Sequence, residues 1–142
     1  MIVPDEKIRL GTPVEGREIA IRAAEAALAK KAADLIVLEL TGLTIVADYF
    51  VICSGESTTQ VRAIAEYIEE ELAKSGVKPL GIEGRTYSHW VLVDYGDVIV
   101  HVFEKETRAY YDLEKLWMDA KIIDVDKDTP DMGREDKRAV HP

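Results

Sequence analysis

An α+β fold, with one mixed β-sheet of about five strands flanked by helices, is what the 142-residue sequence predicts. Three observations carry that expectation. The apolar spacing switches repeatedly between the helical repeat and short runs rich in β-branched and aromatic residues. The resulting order is helix, strand, strand, helix, strand, strand, strand, helix, which fits neither strict βαβ alternation nor an all-β pattern. Finally, Gly96-Asp97 stands between two β-rich runs, and glycine first in a two-residue loop is a type II′ hairpin signature. The length suits a single domain.

Residues 1–14 contain Pro4, Gly11 and Pro13 without sustained periodicity and read as a flexible N-terminal arm. Residues 15–120 form the domain. From Glu15 to about Ala33 the chain is rich in good helix formers, with Ile21, Ala24 and Leu28 on one face. Leu35 to Leu38 and Asp48 to Ser54 read as strands separated by Gly42. Ser57 or Thr58 then caps a second helix whose inner face is Val61, Ile64, Ala65, Ile68 and Leu72. Gly76 and Pro79 end it, and Glu66, Glu69, Glu70 and Glu71 load its solvent side. Leu80 to Glu83, His89 to Tyr95 and Val98 to Phe103 are three further strands. A third helix is expected from about Thr107 to Ala120, with Tyr110, Leu113, Trp117 and Ala120 in one stripe. Residues 121–142 read as a mostly mobile tail, with room for one short extended piece at Ile122 to Val125.

Composition narrows the function. Acidic residues number 27 against 18 Lys and Arg, a formal charge of −9, which disfavours non-specific binding to a polyphosphate backbone. No apolar run approaches the roughly 20 residues that cross a bilayer, and the N-terminus lacks a signal-peptide core, so a cytoplasmic protein is expected. The single cysteine, Cys53, excludes an internal disulfide or a cysteine-based zinc site.

Counting outward from Gly96-Asp97 sets the hairpin register. Tyr95 faces Val98, Val93 faces Val100 and Val91 faces Val102 on one surface. Asp94 opposes Ile99, Leu92 opposes His101 and Trp90 opposes Phe103 on the other. The valine set belongs under helices. The mixed set has two readings. Aromatics interleaved with a few polar groups resemble a protein-binding surface. Alternatively, the first or third helix covers this face, with Asp94 and His101 paired at its margin; periodicity alone favours the cover.

Candidate chemistry is sparse. Cys53, with His89 or His101 as base, suggests a thiol nucleophile, but its place on an apolar strand points to a buried structural thiol. Ser54-Gly55-Glu56-Ser57 before a helix suggests a phosphate cradle, yet it lacks the glycines and lysine of a P-loop. Asp94 and Asp97 lack a third metal ligand, and Asp124 and Asp126 lie in the tail. His89, His101 and His141 show no zinc-ligand spacing. No catalytic residue, metal or cofactor is therefore assigned.

The segments DYFVICSGES from Asp48, PLGIEG from Pro79 and HWVLVDYGDVIVHVFEKETRAYYDLEKLW from His89 together resemble the ribosomal silencing factor family, also called Iojap-like. The resemblance spans about Gly16 to Ala120. It implies a nucleotidyltransferase-like fold without the chemistry, because Gly55-Glu56-Ser57 is followed by a helix and not by a strand bearing the paired acidic residues that would hold Mg²⁺. It further implies a non-enzymatic factor that docks on the large ribosomal subunit at ribosomal protein fourteen, blocks joining of the small subunit and represses translation under nutrient limitation. Homodimers are implied too, while the acidic charge predicts little direct nucleic-acid contact and the lack of a long apolar run predicts no membrane contact. The alternative is a residual nucleotide-binding or nucleotidyl-transfer enzyme, whose only support is the Ser54 to Thr58 turn. Carried onto this sequence, the family's contact motif falls at Trp90, with Asp94 and Tyr95 following on the same strand; His101, Tyr111 and Glu114 are further expected contacts. Tyr95, where many members carry an aliphatic residue, belongs to the valine face by alternation but is expected to project past the helices at the hairpin tip.

Overall fold

The computed structural model describes residues 15–125. The expected arm and most of the expected tail lie outside those residues. Helix α1 (Gly16–Ala29) leads into strands β1 (Ala33–Glu39) and β2 (Tyr49–Gly55), followed by helix α2 (Thr58–Ala73). Strands β3 (Gly81–Glu83), β4 (Trp90–Asp94) and β5 (Val98–Glu104) come next, then a short helix α3 (Lys105–Tyr111), a 3₁₀ turn (Leu113–Trp117) and strand β6 (Lys121–Ile123). The fold is α+β with a mixed sheet, as the sequence predicts, but the sheet has six strands, in the order β3-β4-β5-β2-β1-β6. β2 and β5 pair in parallel at the centre, and every other pairing is antiparallel. The extra strand is the extended piece anticipated near Ile122, which pairs with the outer edge of β1.

One face of the sheet carries Val37, Val51, Cys53, Val91, Val93, Val98, Val100 and Val102, all buried under α1 and α2. An alanine-rich α1 packs close to the sheet because Ala20, Ala23, Ala24 and Ala27 leave room for it. Leu28, expected on that inner face, is 42% exposed. The helix stops at Ala29, earlier than expected, because Lys31 turns into the left-handed region (φ 63°) and directs the chain into β1.

α2 matches its sequence signature closely. The Ser57 hydroxyl accepts from the Gln60 amide at 3.1 Å, and all five predicted inner-face residues are buried. At the other end the amides of Gly76 and Val77 donate to Ala73 and Leu72 at 2.9 and 3.0 Å, the paired bonds of a Schellman motif. Tying the two helices together, the Gln60 side-chain amide donates to the carbonyls of Lys30 and Lys31 at 3.4 and 3.3 Å.

The hairpin register is as counted from the sequence, from Asp94 opposite Ile99 to Trp90 opposite Phe103. Gly96 holds φ 90°, the left-handed conformation that the first residue of a II′ loop requires. The Asp94 carboxylate accepts from the Gly96 amide at 2.8 Å and braces the tip.

The expected third helix breaks. Asp112 adopts φ 49°, which ends α3 and starts the 3₁₀ turn, so the stripe from Tyr110 to Ala120 divides. Tyr110 is exposed, whereas Leu113, Trp117 and Ala120 fold back onto the second face of the sheet.

Candidate binding face

The second face is built from alternate residues of four strands. Trp90 and Leu92 on β4 stand beside Ile99, His101 and Phe103 on β5, then Phe50 and Ile52 on β2, then Ile36 and Leu38 on β1. Its centre is closed and its β4 side is half open. The 3₁₀ segment supplies the cover: Trp117 meets Phe50 edge-on at 6.0 Å between ring centroids. Neither α1 nor a long third helix covers this face.

Aromatic rings run from solvent to core at the β4 side. Tyr110 meets Tyr111 edge-on at 5.0 Å; Tyr111, 55% exposed, lies 5.0 Å from Trp90; and Trp90 stacks on Phe103 at 4.7 Å. Phe103 is fully buried and Trp90 half-buried. Trp90 also donates its indole N–H to Nδ1 of His101 at 3.1 Å. Indole is a donor only, so Nδ1 is the acceptor and the neutral imidazole carries its proton on Nε2. That nitrogen is buried with no hydrogen-bond partner among the described residues. Burial lowers the imidazole pKa to about 4, so the ring is neutral at pH 7.

The cover is held down by Arg108. Its Nη1 donates to the Asp34 carbonyl at 2.7 Å and to the Ser54 hydroxyl at 2.9 Å, at the start of β1 and the end of β2. Its Nε and Nη2 lie 2.9 and 2.8 Å from one carboxylate oxygen of Glu114. α3 and the 3₁₀ turn are thereby fastened to the sheet across the left-handed Asp112.

The six residues expected to touch a partner thus occupy different positions. Trp90, Asp94 and His101 share the second face, and Tyr111 leans on Trp90. His101 is only 4% exposed, so its ring lies beneath this surface. Glu114 is engaged by Arg108. Tyr95 does not project past the helices. It packs against the valine-side core with its hydroxyl buried and without a hydrogen-bond partner among the described residues, and burial, with the Glu69 charge adding, raises its pKa.

Three contributors escaped the sequence reading. Phe50 carried a signal, its alternation within β2. Trp117 was assigned to a helix, and Arg108 had only its charge to mark it. The loop between β1 and β2 also exposes Leu43, Ile45 and Val46, although Leu40 and Ala47 at its ends are buried.

The other candidate chemistries resolve structurally. Cys53 is fully buried, and burial pushes its thiol up to about 12, partly offset by the positive charge of Arg108. At the Ser54–Ser57 turn the Ser54 hydroxyl accepts from Arg108, and the Glu56 amide donates to the Gln60 side chain at 2.6 Å. Among the described residues no three His, Cys, Asp or Glu side chains are grouped as metal ligands, and no helix is long and apolar enough to cross a membrane.

Fold and face together define an α+β domain that presents a half-open aromatic patch on a sheet closed by its own C-terminal segment. Residues 13–141 match the family described as ribosomal silencing factor during starvation, and the chain belongs to that family. It is 50% identical over 97 residues to the ribosomal silencing factor of Bacillus subtilis strain 168, covering 68% of this chain and 82% of the relative. A mouse relative named mitochondrial assembly of ribosomal large subunit protein 1 is 36% identical over 91 residues, covering 62% of this chain and 40% of that protein. The crystal structure of a Chromobacterium violaceum protein superposes with a TM-score of 0.71 at 40% identity, covering 73% of this chain and 87% of the other.

Proposed function

We propose that this protein docks on the large ribosomal subunit through ribosomal protein fourteen, using the Trp90 side of the sheet, and sterically prevents the small subunit from joining. It thereby lowers translation in the cytoplasm under nutrient limitation, without catalysing a reaction. The observation that carries the reading is the aromatic run of Tyr111, Trp90 and Phe103, open on its Tyr111 side and anchored in the core at Phe103. Half-buried aromatics on a rigid strand suit the centre of a protein interface. The net charge of −9 suits a basic ribosomal protein and opposes contact with exposed RNA. The name of the mouse relative, which refers to the ribosomal large subunit, points the same way.

Co-sedimentation with purified large subunits tests the reading. The wild type is expected to pellet at micromolar concentration, and Trp90→Ala to weaken binding about 30-fold, equivalent to roughly 2 kcal/mol for a central anchor. Small subunits added afterwards are expected to join less in the presence of the wild type. A wild type that stays in the supernatant, or Trp90→Ala that pellets equally well, overturns the proposal.

A second reading, self-association, is favoured by the exposed Leu43, Ile45 and Val46. Light scattering with and without the ribosomal protein shows whether homodimer and partner complex compete.

A further inference from the structure

His101 is an expensive residue where it stands. Its strand neighbours Val100 and Val102 are fully buried and apolar, whereas its own ring buries an Nε2–H with no partner among the described residues. An orphaned buried donor of this kind forfeits its hydration with no bond in return. The ring is wedged against Phe50 at 4.6 Å and lies parallel to Phe103 at 6.1 Å, so it has little freedom to turn towards another acceptor. Among the described residues its ring makes one hydrogen bond, accepted at Nδ1 from Trp90, its diagonal neighbour across the β4–β5 pair. The other rings packed against Trp90 are those of Phe103 and Tyr111.

We propose that His101 is a positioning residue: its Nδ1 holds the Trp90 indole with the N–H edge turned inward, so that a partner meets the ring's carbon and π surface and no hydrogen-bond donor. This deepens the docking reading and rests on it. The partner chemistry that fits is an apolar side chain, or the stem and charge of an Arg or Lys laid on the ring, which also suits a basic partner. A backbone carbonyl or carboxylate aimed at the indole N–H does not fit.

The test uses the full chain and two variants. His101→Leu keeps the bulk and removes the acceptor; His101→Asn keeps an acceptor near the position of Nδ1 with less bulk. Indole N–H resonances are read by ¹⁵N NMR on the isolated protein, with Trp117→Phe used only to tell the two tryptophans apart. Binding to large subunits is read by co-sedimentation. The Trp90 N–H is expected to be shifted and protected from exchange in the wild type, to lose both properties in His101→Leu, and to regain them in His101→Asn. Binding is expected to fall about tenfold in His101→Leu and to return to within about threefold of wild type in His101→Asn. A His101→Leu protein that keeps the protected resonance, or loses it yet binds like wild type, overturns the positioning role. Failure of the wild type to bind large subunits overturns the docking reading instead, while the resonance still reports whether His101 holds the ring.

Discussion

Arg108 and Glu114 sit six residues apart on either side of a left-handed Asp112, and their ion pair closes the bend, with Nε and Nη2 at 2.9 and 2.8 Å from the same carboxylate oxygen. The guanidinium is largely buried, and its Nη1 donates to the Asp34 carbonyl and the Ser54 hydroxyl. Arg108→Met keeps the stem and removes every one of these bonds, leaving a carboxylate whose second oxygen already lacks a partner among the described residues. Urea denaturation is expected to show a loss of about 2–3 kcal/mol. Glu114→Gln, which keeps a neutral acceptor, is expected to lose roughly 1 kcal/mol.

His101 makes stability depend on pH. Its folded pKa is about 4, below an unfolded value near 6.5, so the unfolded chain binds the proton more readily. Its neutral form therefore contributes fully above pH 6.5, and that contribution is lost as pH falls towards 4. Between pH 7 and pH 4 the wild type is expected to lose about 3 kcal/mol more than His101→Asn, measured by urea denaturation at each pH. Equal losses in the two proteins would assign acid sensitivity to other groups.

Gly84 approaches the strand that carries Trp90. A Cβ built there would lie 2.0 Å from the Trp90 carbonyl oxygen, and its φ of +85° is strained for any side chain. Gly84→Ala is expected to cost about 3 kcal/mol in thermal or chemical denaturation, the clash adding to the backbone strain. Gly42 provides the control: its φ is +88° with nothing within 4 Å, so Gly42→Ala is expected to cost only about 1 kcal/mol.

Cys53 is expected to be silent towards Ellman's reagent at pH 8 in the native protein, because the thiol is fully buried and its pKa lies near 12. In urea the reaction is expected to rise in step with unfolding followed by circular dichroism. Prompt native labelling would mean that β2 opens locally.

The parts of the fold that were legible share a physical cause. The Gly96-Asp97 loop fixes the register of β4 and β5 locally, so the valine and aromatic faces follow by counting. Ser57 and Gly76 punctuate α2 with side-chain and backbone bonds that act within a few residues. The C-terminal segment was misread because helical spacing continues from Tyr110 to Ala120 with no glycine or proline to mark the break. Its bend is imposed at Asp112 and held by Arg108 reaching Ser54 and Asp34, contacts distant in sequence. Part of the candidate site failed to read for the same reason. His101 finds its partner diagonally across a strand pair, and Trp117 covers Phe50 from 67 residues away in sequence, 117 − 50. Periodicity shows which side of a strand a residue faces; it does not show what will lie over it.

The parallel pairing of β2 with β5 has a consequence for how the chain is made. β5 sits between β2 and β4, so the strands emerging first from synthesis have no central neighbour until residues 98–104 are available. A nascent chain that ends before Val98 holds β1–β2 and β3–β4 without the strand that pairs with both, each with an apolar edge in water. Native structure therefore comes late, and arrest or truncation before residue 98 leaves an aggregation-prone product whose sheet lacks its centre.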